Sequence, residues 1–233
     1  MNITYFNKHY RKLSVLFASL TLILLSFGLY LGFVTSPPDY QQGNFVRIMY
    51  VHVPSAWMSL FIYSSSAFVS ILFLVYKNPL FDIAAKNAMI IGAGFNLVTL
   101  ITGSIWGKPI WGTWWVWDAR LTSVLVLQFF YFSYMILRQS FDSDEQAAKS
   151  AAILAIIGAI NVPIVKFSVN FWHSLHQPAS FLRIDGPHIH SSMLTPLLLM
   201  AFGSLTYFLL IILINIKTDL LQKKINKLKH HAR

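Results

Sequence analysis

The sequence contains no cysteine. That excludes a disulfide framework, thiolate metal sites, a thioredoxin-like C-x-x-C pair and a c-type haem attached to this chain itself. It also leaves the redox compartment unread. Charge is scarce too. Only 11% of the 233 residues are charged, against about 25% in soluble proteins, too few to solvate the outside of a water-soluble fold of this size. Apolar residues fill the gap, at 56% of the chain, which points to an integral membrane protein. Acidic residues are the scarcer sign, with 8 Asp+Glu against 18 Lys+Arg and a net charge of +10. In a soluble domain that balance would suggest nucleic acid, so the positions of the basic residues decide its meaning.

A hydrocarbon core about 30 Å thick needs about 20 mostly apolar residues per helix. Six uncharged runs approach that length, roughly 13–34, 56–76, 87–105, 121–137, 151–165 with an extension to 171, and 192–216. The prediction is an all-α polytopic bundle of six transmembrane helices with short loops, a single domain over residues 1–233 with no repeat. The first run exceeds the ~7–15 residues of a signal-peptide core and has no small-x-small cleavage site, so it is expected to stay in the mature protein. Asn161, Pro163 and Lys166 make the fifth run the weakest, and it is kept because an even count balances the termini.

Six spans place both termini and the loops near 77–86 and 138–149 on one side. Lys8, Arg11, Lys12, Lys77, Lys86, Arg138, Lys149, Lys217, Lys223, Lys224, Lys227, Lys229 and Arg233 fall there, 13 of the 18. Arg47, Lys108, Arg120, Lys166 and Arg183 fall on the other. The positive-inside bias makes the first side cytoplasmic. The charge is thus mostly an orientation signal, the basic tail reads as an anchor to membrane lipid, and no nucleic acid is expected.

All seven Trp are expected on the outer side. Trp57 opens the second span, Trp172 follows the fifth, and Trp106, Trp111, Trp114, Trp115 and Trp117 crowd one short loop. An aromatic belt would populate both interfaces. A one-sided excess of flat indoles suits a large planar apolar guest. Histidines follow the same geography: His52, His173, His176, His188 and His190 are outer, whereas His9, His230 and His231 sit in basic tails. His52 lies in V-H-V-P, with Pro54 compatible with the first turn of a new helix. His176 lies in W-H-S-L-H-Q, four residues after Trp172, so on a helix the two rings share a face. Two imidazoles from segments flanking a tryptophan shelf suit axial ligation of haem iron. His173 and His176 could instead chelate zinc with His188 and His190.

Other chemistries find little support. No H-E-x-x-H motif and no nearby Glu supply a hydrolytic base, and Gly107-Lys108 precedes Pro109 rather than Ser or Thr, so no P-loop is present. Asp118, between Trp117 and Ala119-Arg120, is expected to cap the following helix or to pair with Arg120. Arg47, Lys108, Arg120 and Arg183 are the outer cations available to haem propionates.

The run Trp106-Gly-Lys-Pro-Ile-Trp-Gly-Thr-Trp-Trp-Val-Trp-Asp-Ala-Arg-Leu-Thr-Ser123 resembles the tryptophan-rich WWD signature of haem-handling proteins in cytochrome c biogenesis. With H-V-P at His52, S-L-H-Q at His176, six spans and this length, the chain resembles the CcmC family. The two larger WWD relatives carry more spans than this chain can hold. The resemblance implies a bacterial inner-membrane protein with cytoplasmic termini that binds haem b in transit at the periplasmic face. It implies His52 and His176 as axial ligands and Trp106, Trp111, Trp114, Trp115, Trp117 and Asp118 as the platform, within a WWD segment over 106–123. It further implies transfer of haem to the chaperone CcmE, and association with the ABC-type subunits CcmA and CcmB and the small CcmD. The expected role is a haem transfer platform and transporter-complex subunit, not an enzyme. A transmembrane b-type cytochrome and a haem export channel are the rival readings. The first usually places histidine pairs within spans, where none is expected here. The second needs a polar path, and the spans offer few polar side chains, Asn96, Gln128, Asn161 and scattered hydroxyls among them.

Overall fold

The structure is a computed structural model that describes residues 3–176 and 189–231. It comprises seven α-helices: α1 (Ile3–Tyr30), α2 (Met49–Tyr76), α3 (Pro79–Trp111), α4 (Ala119–Gln139), α5 (Asp144–Gly158), α6 (Asn161–Phe171) and α7 (Ser191–His231). A π-turn over Leu31–Thr35 extends α1, and a 3-10 turn over Asn44–Ile48 leads into α2. Among the described residues, six helical stretches are long and apolar enough to cross a membrane. The fifth is compound. After α5 the chain turns at Ala159 and Ile160 before α6 resumes the course, and Asn161 Nδ2 donates to the carbonyl of Ser123 at 2.8 Å. That bond joins the break to α4 and keeps a buried polar group satisfied.

Helices α2 and α3 form the central pair, α7 and the α4–α5–α6 group pack around them, and α1 lies mainly against α7. α1 is the least covered span, with 17% of its apolar window buried, which puts it at the edge of the bundle. Large apolar side chains such as Leu22, Phe27, Phe68, Ile136 and Phe202 face outward, as lipid-facing positions require. Small residues let the helices approach. A Cβ at Gly203 would meet Leu25 Cδ2 at 2.6 Å and one at Gly28 would meet Met200 Sδ at 2.8 Å, so α1 and α7 touch at glycine on each side. On α5 the same function falls to Ala147, Ala148, Ala151, Ala152 and Ala155, all buried. The core between them holds Tyr63, Met89, Leu127, Tyr131 and Tyr134.

Caps define the helix ends. Asn78 accepts from the Leu80 N–H to start α3, with Pro79 in its first turn, and Ser143 accepts from the Gln146 N–H to start α5. Gly112, left-handed at φ 75°, closes α3 and returns its N–H to the Lys108 carbonyl. At 33 residues, α3 is about 50 Å long, some 20 Å more than the hydrocarbon thickness.

Several local expectations change. Trp106 and Trp111 belong to the last turns of α3 rather than to a loop, because Pro109 lies close enough to the helix end to be accommodated there. α2 begins five residues before Pro54, so His52 lies inside a membrane-length helix. α6 stops at Phe171 and Trp172 is extended, so Trp172 and His176 are not one turn apart on a helix.

Candidate functional site

At the end of the bundle opposite the chain termini, the segments 31–48, 112–118 and 172–176 converge on the outer turns of α2 and α3. His52 projects from the first turns of α2 against α3. Its Nδ1 lies 3.0 Å from Thr102 Oγ1, and its ring meets Trp106 edge to face at 5.6 Å. Thr102, Gly103 and Trp106 share a face of α3, being three and four residues apart. A Cβ at Gly103 would come within 3.0 Å of His52 Cε1, so glycine is what lets the imidazole lie flat against the helix. The single hydroxyl proton of Thr102 goes to the Val98 carbonyl at 2.6 Å. Thr102 Oγ1 therefore accepts from His52, so the proton is on Nδ1 and Nε2 is the unprotonated nitrogen.

His176 is held differently. Asp118 caps α4 by accepting from the Leu121 N–H at 2.8 Å through Oδ1. Its Oδ2 accepts from Ser174 Oγ and lies 3.2 Å from His176 Nδ1. Ser174 Oγ in turn accepts from the His176 main-chain N–H at 3.1 Å. Burial pushes the Asp118 carboxyl up, but hydrogen bonds from Ser174 and the Leu121 N–H, with the nearby His176, outweigh it and hold it below the usual carboxylate range. Burial likewise depresses His176, and the opposing pull of Asp118 does not reverse it. A neutral imidazole beside an ionised carboxylate carries its proton on Nδ1, so Nε2 is again the unprotonated nitrogen. The His176 ring meets Trp111 edge to face at 4.7 Å. The two imidazoles lie against indoles of one helix, His52 on Trp106 and His176 on Trp111.

The remaining indoles divide by exposure. Trp114, Trp117 and Trp172 are exposed, at 55%, 77% and 54%. Trp115 is half-buried and meets Trp117 edge to face at 5.6 Å, and its Nε1 is buried with no hydrogen-bond partner among the described residues. Trp57 packs instead with the apolar cluster of Tyr50, Met193 and Leu197, which Trp106 also joins. Trp106 Nε1 donates to Gln42 Oε1 at 2.9 Å, and Ser104 Oγ donates to the Trp114 carbonyl at 2.7 Å. The WWD segment is thus pinned at Trp106 and again at the Trp114 backbone, with the Trp114 and Trp117 rings left exposed.

Among the outer cations, Arg47 donates to the Phe33 and Ser36 carbonyls at 2.8 and 2.9 Å. Arg120 reaches Ser168 Oγ and the Lys166 carbonyl at 3.3 and 3.4 Å. Lys108 is exposed; its Nζ donates to the Gly112 carbonyl at 3.0 Å and lies 5.9 Å from the Trp114 ring centre. Arg183 and His188 lie outside the described residues. His173 is exposed, and His190 Nδ1 sits 2.8 Å from Ser192 Oγ. No three His, Asp or Glu side chains gather as a metal cluster among the described residues. Of the two roles expected for Asp118, capping is present, while its second oxygen meets Ser174 and the neutral His176, and no salt bridge to Arg120 forms among the described residues. Sequence reasoning missed Thr102, Ser174, Gln42 and Gly103. Only the spacing Thr102–Trp106, one turn of α3, carried a signal.

The fold and this end of the bundle define a class: a polytopic all-α membrane protein with an imidazole- and indole-lined surface at one end. The sequence matches the CcmC family, described as Heme exporter protein C, over residues 1–231, and the chain belongs to that family. Heme exporter protein C of Bradyrhizobium diazoefficiens is 46% identical over 212 residues, covering 91% of this chain and 80% of the relative. That of Haemophilus influenzae is 45% identical over 212 residues, covering 91% and 86%, and that of Escherichia coli K12 is 44% identical over 185 residues, covering 79% and 74%.

Proposed function

We propose that this protein binds haem b in transit at the periplasmic face of the bacterial inner membrane, with His52 and His176 as axial ligands, and presents it to the chaperone CcmE. One observation carries the reading. Two imidazoles from separate segments are each fixed through Nδ1, which leaves Nε2 unprotonated, beside the outer turns of one helix that supplies an indole to each. Metal-binding histidines are commonly oriented in this way through the second nitrogen. Both termini are cytoplasmic on the positive-inside bias, and the relatives' names place haem and export in the same family.

The platform residues have separate tasks. Trp106 and Trp111 wall the two imidazoles, while Trp114, Trp115 and Trp117 offer ring faces to the porphyrin. Burying porphyrin surface against indoles contributes about 25 cal/mol per Å², several kcal/mol over a ring face. Lys108, exposed beside the Trp114 ring, suits a propionate. Haem brings the redox-active iron and the reactive vinyl edge; the chain contributes position. The role is therefore a transfer platform rather than an enzyme with turnover, working with CcmA, CcmB and CcmD. Full burial of Tyr63, Met89, Leu127 and Tyr131 in mid-bundle favours a surface site over a pore through this chain.

Purified protein and its His52→Ala and His176→Ala variants test the assignment by haem content and by transfer to the chaperone. Haem content should fall in both. Wild-type content in both would overturn the axial roles.

A further inference from the structure

The two imidazoles are tied to partners of different kinds. His52 Nδ1 meets a neutral hydroxyl, Thr102 Oγ1, whose own proton is committed to the Val98 carbonyl. His176 Nδ1 meets a carboxylate, and that carboxylate is fixed. Asp118 is 9% exposed, held through one oxygen by the Leu121 N–H and through the other by Ser174. Ser174 Oγ also lies 3.1 Å from His176 Nδ1 and accepts from the His176 main-chain N–H. One serine hydroxyl thus joins the carboxylate, the imidazole and the backbone that carries it. A carboxylate on the second nitrogen raises the electron-donating power of the first, and charge-assisted hydrogen bonds are about twice as strong as neutral ones.

We propose that Asp118 and Ser174 act as positioning residues that make His176 the stronger of the two haem ligands, so that a bound haem parts from His52 first. This rests on the axial assignment given above. In the release step the bond that breaks is iron to Nε2 of His52. The iron becomes five-coordinate on His176, both Nδ1 protons stay where they are, and no electron moves. The freed coordination position then lies on the His52 side, towards the outer turns of α2 and α3. Retention at His176 keeps the ring at its height while the partner engages.

The test uses the full-length, haem-loaded protein in detergent. After reduction, carbon monoxide replaces the weaker ligand, and the vibrational frequencies of the carbonyl adduct report the ligand that stays. Asp118→Asn keeps the helix cap and the size of the side chain but removes the charge; it should shift those frequencies and move the haem reduction potential upward. Thr102→Val should leave the frequencies unchanged. Ser174→Ala should reproduce part of the Asp118→Asn shift, and Ser174→Thr should restore the wild-type values. A shift with Thr102→Val and none with Asp118→Asn, or equal shifts in both, would overturn the order. Haem content gives a second measure that does not depend on Asp118→Asn folding: His176→Ala should lose several-fold more haem than His52→Ala. Equal losses would sink the ordering while leaving both residues as ligands, whereas no loss in either would sink the axial assignment itself.

Discussion

The two ends of this bundle solve the problem of polar atoms near a membrane in opposite ways. At the end that carries the termini, charges answer one another. Arg138 grips Asp82 through two nitrogens, and Asp219 accepts from both Lys86 and Asn87. Lys149 pairs with Glu145 one turn away. At the other end charges are few, and the polar atoms serve to orient rings: Thr102 for His52, Asp118 and Ser174 for His176, Gln42 for Trp106. One end is held together by complementary charge within the chain. The other is arranged so that ring faces and two imidazole nitrogens point at something else. Stability and recognition are therefore separable, and substitutions should sort by end.

The sharpest break should come at the ion-paired end. Asp82→Ala strands Arg138, whose side chain is only 16% exposed, and loss of one partner of so enclosed a pair costs about 3 kcal/mol. Thermal unfolding in detergent should register that loss, with haem content per folded molecule close to wild type. At the aromatic end the pattern reverses. Asp118→Asn should lower haem affinity by about 10–100-fold, the range typical of partners that orient metal ligands, with little change in unfolding because Asn caps helices as well as Asp. Gly103→Val, which drives side-chain atoms into His52, should act in the same direction through the other ligand and by at least about tenfold. Asp118→Ala adds loss of the cap of α4, about 1 kcal/mol of stability, and so tests whether the residue serves both purposes. Lys149→Ala marks the lower bound. It removes an exposed pair one turn apart, and unfolding should shift by less than about 0.5 kcal/mol. A fall in haem binding for Asp82→Ala as large as for Asp118→Asn would erase the distinction between the ends.

The apolar runs made the helical bundle legible because lipid imposes both length and composition on each span. Trp was legible as a candidate for a related reason, since indoles on one side only have no structural purpose that a belt would not serve on both, and His52 and His176 were legible because they flank them. What the sequence concealed were the small residues. Thr102, Ser174 and Gln42 have no spacing rule of their own, since a hydroxyl or amide becomes a positioning group only when tertiary packing places a ring against it. The course of α3 through Gly107-Lys108-Pro109 was hidden because local propensity favours a loop there. Packing decides otherwise: a Cβ at Gly107 would meet Trp111 Cε3 at 2.9 Å, so glycine is the residue that lets this indole fold back on its own helix. Similarly, Asn161 looked like an interruption of a span, and the structure makes it the bond that secures one.

Helix α3 begins at Pro79 beside the ion pairs and ends at Trp111 beside His176, which makes it a ruler graduated in bearing as well as height. Each residue along it advances the far end by about 1.5 Å and turns it by about 100°. Deleting one residue from its lipid-buried middle would swing Thr102, Gly103 and Trp106 away from His52 with every residue of the site still in place. Inserting seven would bring them back to within about 20° of their bearing but some 10 Å too high. The number of residues in a stretch that touches no ligand thus sets which way the indoles look.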